Sequence, residues 1–387
     1  MNYSLPYILF IGFLLLIALL QSAVNFTERS RRTLSILALI VFVLFIGGRG
    51  FIGWDWTNYY RDFARAVPLS GFLHHKWMFR EQGWNLYVSI IRTFTDSYNV
   101  FVFVSTLIDA VLLYLFFARY VGHKYFVFAL AVFFVFYGFV FETDLMRNIK
   151  GLLIFLLSIR YIESRELVKY LALGLLACTF HWSIIVLLPC YFFIHRRFPL
   201  VIVIAVFLVG NVVYLFGLPS LSLVIKAIAQ FLPEQMQERV LEYVTNALFG
   251  KTYGFTLGYI ERTLVFVLVL FLQHRMIEDD KSNLIFINTF TIFVLICMYC
   301  YEFNIFITRF GALFSFGCWV MYPRLLKYLD KVMAPLFAIL VSAIMLVKMH
   351  NMSSNILYDY QNFIFQKTDS YSHREQIFRK NQDSLKK

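Results

Sequence analysis

Two cations at the start of a hydrophobic stretch are the residues most able to do chemistry in this chain. Arg147 and Lys150 lie three positions apart, so they share one face if the stretch is helical. Lipid penalises charge, and an ionisable residue inside a membrane segment therefore usually marks a functional site. A guanidinium can hold a phosphate through two parallel hydrogen bonds, and a nearby ammonium adds a point charge. The pair predicts a binding site for an anionic, phosphate-bearing substrate.

The same pair has a structural alternative. Both cations could extend to lipid headgroups, or could pair with Glu142 and Asp144 just before them. The helix is predicted to begin near Asp144–Arg147, so its first backbone N–H groups could point at the same anion. We favour the functional interpretation for Arg147 and leave both open for Lys150.

Arg309 and His181 occupy comparable positions elsewhere. Arg309 opens a later apolar span and is the lone cation in it, with headgroup contact as its alternative role. His181 lies between two short apolar segments, where broken backbone is tolerated only against protein or a wet cavity. An imidazole there could take up or release a proton near neutral pH, or it could be a packing residue.

A long loop after the second apolar segment combines charge with aromatic rings. Asp55 stands between Trp54 and Trp56, and Tyr59 and Tyr60 follow. Aromatic faces can stack on sugar rings, and a carboxylate can bind hydroxyl groups or accept a proton. These residues predict a sugar site, although membrane interfaces are also rich in Trp and Tyr.

Three further charged residues of this loop are candidates for the site. Arg49 opens the loop, and Arg80 with Glu81 precedes an amphipathic run from Trp84 to Phe94. The run predicts a helix that lies in the membrane interface.

Composition decides the class of protein that must position these residues. Of 387 residues 60% are hydrophobic, the mean hydropathy is +0.70, and 45 residues are Phe. Soluble proteins contain about 45–50% apolar residues, and several stretches here reach the ~20 residues that span a bilayer. We predict an all-α polytopic membrane protein with about twelve hydrophobic segments.

The hydrophobic segments and the basic loops between them predict the topology. The segments fall at about 5–24, 33–48, 99–119, 124–142, 146–162, 167–180, 182–195, 199–217, 256–275, 283–302, 306–323 and 333–349. The first is interpreted as a retained anchor, because no basic region precedes it. Segments 167–180 and 182–195 are too short for ordinary spans and are predicted to form one short helical hairpin with His181 at its tip. The alternative, one long tilted helix, would scatter the basic loops over both sides, whereas Lys and Arg normally collect on the cytoplasmic side.

This topology defines the expected domains. Residues 1–349 are predicted to form a single transmembrane domain with two long outer loops at about 49–98 and 218–255, and 350–387 a polar, solvated tail. The second loop is predicted to hold amphipathic helices, with apolar residues at Leu221, Val224, Ile225, Ile228, Val240, Leu241, Val244 and Leu248.

Charge and cysteine usage exclude several functions. Most of the net charge of +12 lies in the predicted cytoplasmic loops, so it gives no reason to expect nucleic-acid binding. Cys297 and Cys300 are followed by no further ligands at metal spacing, so we predict no metal site. No phosphate-binding loop or nucleotide fingerprint occurs, and no cofactor is predicted, so an enzyme of this kind needs an already activated substrate.

Taken in order, these short strings resemble the EpsG/Wzy-like polysaccharide polymerases of bacterial membranes. The matching elements are Arg49 with Gly53-Trp54-Asp55 and Tyr59-Tyr60, Glu81 before an amphipathic helix, Arg147 opening a span, Phe180-His181-Trp182-Ser183 at a helix break, and Arg309-Phe310. They cover roughly residues 45–312. Each string is degenerate alone, and the specificity comes from their order and placement.

The resemblance implies a glycosyltransferase related to the C-type membrane fold. Such an enzyme moves a growing glycan from undecaprenyl diphosphate to a lipid-linked repeat unit, at the outer face of the bacterial cytoplasmic membrane. By this resemblance the catalytic residues are expected to be Arg147, His181, Arg309, Asp55 and Glu81. The expected substrate-binding residues are Arg49, Arg80, Lys150, Tyr59 and Tyr60. Membrane lipid, a chain-length regulator and a flippase are the expected partners.

Three other functions stay open at this point. A lipid-linked oligosaccharide flippase or transporter would need a cavity open alternately to both sides, often with repeat symmetry that this chain lacks. An acyltransferase could use His181 as its base but would need an acyl donor that reaches the cytoplasmic face. A glycan ligase is a closer relative of the predicted polymerase.

Overall fold

The computed structural model describes residues 3–77, 80–231 and 254–385, and in these residues every regular element is helical. Six helical segments are long and apolar enough to cross a membrane: Leu5–Ser22, Glu28–Gly47, Tyr98–Tyr120, Phe126–Thr143, Leu257–Asp279 and Met333–Ser353. Shorter apolar helices occupy Leu167–Cys178, Trp182–Phe192, Leu200–Leu215 and Asn283–Tyr299. The predicted all-α, multi-pass membrane protein is confirmed.

The chain divides into two compact units, Met1–Tyr191 with Tyr322–Lys387, and Phe192–Met321. In chain order the first unit contains α1 Leu5–Ala23, α2 Glu28–Phe42, α3 Trp56–Arg65, α4 Gln82–Arg92, α5 Tyr98–Tyr120, α6 Phe126–Phe133, α7 Phe139–Thr143, α8 Met146–Leu156, α9 Ile159–Glu163 and α10 Leu167–Cys178. The second unit contains α11 Leu200–Leu215, α12 Leu221–Ala229, α13 Leu257–Asp279, α14 Asn283–Tyr299 and α15 Asn304–Arg309. The first unit resumes with α16 Phe316–Tyr328, which starts before the unit boundary, then α17 Met333–Ser353 and α18 Tyr371–Leu385.

Local sequence signals start several of these helices. The hydroxyls of Thr27, Ser97 and Thr256 accept hydrogen bonds from the backbone N–H groups three residues later, at 3.2, 3.4 and 3.1 Å. Such caps satisfy backbone donors that the first helical turn leaves without a partner. Length and apolarity therefore set the spans, and short polar residues set their starts.

The two short segments around His181 form the predicted hairpin. The Tyr170 hydroxyl on α10 donates to the Leu187 carbonyl at 2.8 Å, and a Cβ at Gly174 would collide with the Leu188 side chain, so the two arms run back against each other. The second arm, Trp182–Phe192, is a 3₁₀ helix of 11 residues with Pro189 inside it. A 3₁₀ helix rises about 2.0 Å per residue, so this arm reaches further than an α-helix of equal length.

The first of the two loops predicted to be outer, at about 49–98, folds into short helices. It contains α3, a 3₁₀ turn at Leu69–His74, and α4. The predicted amphipathic run is α4, with Trp84, Val88 and Ile91 buried on one face. Its aromatic and aliphatic residues join Phe51, Trp56 and Phe101 in a single cluster.

The second outer loop is described only in part. Its first predicted helix is α12, on which Val224 and Ile228 are exposed. The N-terminus of α12 is held by Glu302, whose carboxylate accepts from the Ser220 and Ser222 backbone N–H groups at 2.9 and 3.0 Å. The other predicted positions, Val240, Leu241, Val244 and Leu248, lie outside the described residues.

The expectation that the chain from His350 onward is solvated is wrong for much of that segment. Tyr358 and Arg374 are buried, and Asn362 forms an antiparallel backbone bridge with Arg49. The Tyr7 hydroxyl on α1 donates to the Tyr358 carbonyl at 2.8 Å. The polar composition gave a wrong prediction here, because polar side chains of this tail, including Tyr358, Tyr360 and Asn362, are hydrogen-bonded to the rest of the protein.

Candidate functional site

Arg147 lies in the first turn of α8 and forms an ion pair with Glu81. Its Nη1 is 2.5 Å from Glu81 Oε2, and the two side chains are 17% and 20% exposed. The acids predicted as its alternative partners, Glu142 and Asp144, are not the acids that pair with it. Glu81 stands 66 residues away, immediately before α4. Both side chains are mostly buried and keep a small exposed fraction.

Glu81 also connects this ion pair to the hairpin that contains His181. Its second carboxylate oxygen accepts a hydrogen bond from the Trp182 backbone N–H at 3.1 Å. The Trp84 N–H donates to the Thr179 carbonyl at 3.2 Å, so the start of α4 is fixed against the hairpin turn. Gly83 allows this approach, because a Cβ there would collide with Thr179. We call the meeting point of Arg147, Glu81 and the hairpin turn the junction.

The environment of Glu81 favours its ionised form. Burial raises the pKa of Glu81, but its own backbone N–H, the Arg147 guanidinium and the Trp182 N–H outweigh burial and hold that pKa below its usual value. His181 adds a further favourable interaction with the carboxylate. Glu81 is therefore a counterion for Arg147 in this state, and it is a weaker base than its sequence position indicated.

His181 is held locally by the residues that follow it. Its Nδ1 lies 2.7 Å from the Ser183 hydroxyl and accepts from the Ser183 backbone N–H at 3.2 Å. These contacts orient the imidazole at the tip of the hairpin. Arg147, Glu81 and His181, which are far apart in the sequence, are thus brought to one place.

Asp55 is positioned by a clamp that the sequence analysis missed. Asp144 accepts from the backbone N–H groups of Trp54 and, at 3.4 Å, Asp55. Its other oxygen accepts from the Tyr358 hydroxyl at 2.9 Å. Gly53 has φ +96°, a left-handed conformation that glycine adopts without strain, and a Cβ there would meet Asp144. Asp55 itself is half-buried and accepts from Asn58 at 3.3 Å.

The aromatic residues around Asp55 serve mainly to hold the loop. Trp56 is buried against Tyr371 and Phe378 of the tail, so the prediction that both flanking Trp rings face a sugar is wrong for Trp56. Tyr60 stacks on Tyr371 with ring centroids 4.3 Å apart. Tyr59 is buried and donates to the Asp144 carbonyl at 3.2 Å. Burial raises the pKa of Tyr59 to about 12, which keeps its hydroxyl a hydrogen-bond donor.

Arg49 points into the protein, not into an open site. Its guanidinium donates to the Ile46 carbonyl at 2.7 Å, to the Thr106 hydroxyl at 3.3 Å and to the Glu142 carbonyl. The residue is 3% exposed. A direct contact with substrate, as the sequence indicated, would require this network to open.

Lys150 is also held within the protein. Its ammonium lies 2.5 Å from Asp109 on α5 and donates to the Ser105 carbonyl, and both side chains of the ion pair are 2% exposed. Asp109 was not predicted as a site residue. The available signal was its isolation as the one acid in the apolar segment Tyr98–Tyr120.

Neither Arg80 nor Arg309 is among the residues that form the junction. Arg80 pairs with a different acid, and Arg309 belongs to the second unit. Arg80 donates through Nε to Asp62 at 2.9 Å and lines a cavity of the first outer loop. Arg309 is the last residue of α15 in the second unit and is half-buried there. Within residues 3–77, 80–231 and 254–385, no group of three His, Cys, Asp or Glu side chains could hold a metal ion.

Comparison with known proteins identifies the family of this chain. Neither the curated proteins nor the solved structures contain a match to the chain. The family model described as the EpsG family matches residues 32–363, a range that contains the junction, the clamp and Arg309. Because this match covers most of the chain, the protein belongs to the EpsG family.

Proposed function

We propose that this protein polymerises a polysaccharide by moving a growing glycan from undecaprenyl diphosphate onto a lipid-linked repeat unit at the outer face of the cytoplasmic membrane. Its family suggests a polysaccharide polymerase-like membrane protein. The observation that carries the finer proposal is the junction, where a guanidinium, a carboxylate and an imidazole meet beside an apolar helix. A diphosphate lipid carries its charge at this kind of boundary between apolar chain and polar head.

In this proposal Arg147 stabilises the departing diphosphate. An acceptor hydroxyl attacks the anomeric carbon, the bond from that carbon to the diphosphate oxygen breaks, and its electron pair stays on the diphosphate. A cation placed where negative charge develops lowers the barrier, often by several kcal/mol. Arg147 suits this role because its guanidinium is partly exposed and can exchange Glu81 for a phosphate.

His181 is the group we assign to the acceptor proton. Its ring is oriented by Ser183, and an imidazole takes up a proton near neutral pH. Glu81, with its lowered pKa, then stabilises the imidazolium and holds Arg147 between turnovers. Asp55, placed by the Asp144 clamp, is proposed to bind sugar hydroxyls.

The test is the length of surface glycan made by cells that carry single variants. With Arg147→Ala or His181→Ala, we expect the protein to remain in the membrane while the glycan ladder on a gel collapses to single repeat units. Arg309→Ala tests in the same way whether that residue also binds diphosphate. Arg379→Ala, an exposed tail position, is the matched control and should leave the ladder unchanged. Normal chain lengths from Arg147→Ala would refute the proposal.

A second measurement separates polymerisation from transport. Lipid-linked repeat units supplied already on the outer side should still be joined by the unaltered protein. Product formation under these conditions requires an enzyme, because a flippase has no substrate left to move.

A further inference from the structure

We propose that a cationic cavity in the first outer loop binds an acidic sugar of the glycan, one that carries a carboxylate or a phosphate. This inference rests on the proposed function, since it names the class of repeat unit that the polymerase handles. The cavity has a volume of about 560 Å³, within the range of about 300–1,000 Å³ typical of ligand sites. Its lining includes Arg61, Asp62, Arg65, Lys76, Trp77 and Arg80.

The charged side chains that line the cavity favour an anionic ligand. Four of these residues are cations, and Asp62 is the one carboxylate among the described residues that line the cavity. That carboxylate is already engaged, because Arg80 donates to it through Nε at 2.9 Å. Arg61 and Lys76 are exposed, so they present their charges at the rim. Among the described lining residues, positive charge remains in excess after this ion pair is counted, although Glu375 of α18 also attracts Arg61.

One buried indole beside the cavity lacks a hydrogen-bond partner. Trp84 lines the cavity and is 1% exposed, and its Nε1 has no hydrogen-bond partner within the described part of the chain. A buried N–H without a partner costs about 1–3 kcal/mol, so such groups normally have one. Because the surface of this nitrogen is covered, a ligand oxygen would reach it only if neighbouring side chains of the cavity moved.

Aromatic walls beside cations indicate a charged sugar as the ligand. Trp77 is half-exposed, and its Nε1 is fixed by a hydrogen bond to the Phe72 carbonyl at 3.0 Å. A fixed ring of this kind offers a flat face to a pyranose, while the rim cations hold its acidic group. Arg80 adjoins Glu81 in the chain, so a sugar bound here would belong to the glycan whose end lies at the junction.

The test is direct binding to the purified full-length protein in nanodiscs of neutral lipid. Trigalacturonate is the acidic probe, and maltotriose is the neutral trisaccharide control. By isothermal titration we expect trigalacturonate to bind and maltotriose to bind at least about tenfold more weakly, as the loss of one charge-assisted contact implies. Raising the salt concentration should weaken the binding, because the rim charges are exposed to solvent.

Two variants should move the affinity in opposite directions. Arg61→Gln with Lys76→Gln should weaken trigalacturonate binding by about tenfold or more. Asp62→Asn should strengthen it several-fold, because it removes the carboxylate and frees the Arg80 guanidinium. A gain in affinity cannot come from misfolding. Lys367→Gln, an exposed lysine of the tail, is the matched control and should bind like the unaltered protein.

Three outcomes would overturn the inference. They are equal affinity for maltotriose, affinities unchanged by both charge variants, and binding confined to phosphatidylglycerol vesicles. The last outcome would assign the cavity to a lipid headgroup instead of a sugar. Arg147→Ala should still bind trigalacturonate, so loss of the glycan ladder in that variant and loss of binding in the cavity variants are separate results.

Discussion

Arg147 and Lys150 lie one helical turn apart on α8, yet the protein treats them differently. Arg147 pairs with a loop carboxylate, Glu81, and the pair keeps 17% and 20% of its side-chain surfaces exposed. Lys150 pairs with Asp109 at the same distance of 2.5 Å, but only 2% of each side chain is exposed. The Arg147 guanidinium keeps some contact with solvent and the Lys150 ammonium keeps almost none, although their spacing in the sequence predicts one shared role.

The difference teaches that two cations on one helix face can differ in burial, and we expect burial to decide which of them supports the fold. Removing one member of a buried ion pair leaves an uncompensated charge, which is strongly destabilising. A partly exposed pair is screened by water and contributes little to stability. The comparison can be tested by breaking each pair in turn.

The largest loss of stability is expected from Lys150→Met. Asp109 would then be a buried charge without its cation, which costs about 3–5 kcal/mol. Thermal unfolding of the purified protein in detergent measures the change. The double variant Lys150→Met with Asp109→Leu should recover most of it, because hydrophobic residues can replace a buried pair. Full stability with loss of the glycan ladder would instead make Lys150 a ligand for substrate.

A smaller loss is expected from Gly83→Ala. The added Cβ meets Thr179 and pushes the start of α4 away from the hairpin turn, and such overpacking costs about 1–3 kcal/mol. Glu81 would move with α4, so the glycan ladder should shorten as well. Gly12→Ala is the matched control, because its Cβ would meet nothing within 4 Å. A normal ladder from Gly83→Ala would show that the junction tolerates displacement.

Tyr358→Phe should cost about 1.5–3 kcal/mol, since it removes the hydroxyl that donates to the Asp144 carboxylate. The remaining donors to Asp144 limit the damage to the loop around Asp55. Thermal unfolding and the glycan ladder measure the two consequences. Tyr371→Phe serves as the control, because it removes a tyrosine hydroxyl and keeps the aromatic ring that stacks on Tyr60.

The smallest change in stability is expected from Arg147→Ala, at about 1 kcal/mol or less. Glu81 keeps its hydrogen bond from the Trp182 N–H, so its carboxylate stays satisfied. The loss of polymer should nevertheless be complete. A stable, inactive Arg147→Ala beside an unstable Lys150→Met would establish the distinction between the two cations, whereas equal instability would remove it.

The sequence predicted those features that depend on local pattern. Long apolar runs predicted the six candidate spans, and the short segments on either side of His181 predicted the hairpin, whose arms pack through Tyr170 and Leu187. The spacing of apolar residues in the run from Trp84 to Phe94 predicted α4. The resemblance in short strings predicted the family, which the match over residues 32–363 confirmed.

The sequence could not predict the features that depend on distant partners. Nothing local distinguishes Glu81 from Glu142 or Asp144 as the acid that meets Arg147. Arg49 was expected at the substrate, but its buried acceptors come from residues up to 93 positions away. The burial of Tyr358 could not be predicted from the composition of the tail, because one tyrosine changes the mean hydropathy of a polar segment very little.

The Asn362 side chain, which donates to the Leu44 carbonyl at 2.8 Å, joins positions 318 residues apart. A nascent chain therefore inserts its early spans long before the tail can pack against the loop around Asp55. A premature stop codon just after Ser353 would leave the six candidate spans of the described residues in place while Trp56 lost its neighbours Tyr371 and Phe378. Fusion partners and truncations near the C-terminus thus act on the loop around Asp55, and normal insertion alone does not prove that such a product is intact.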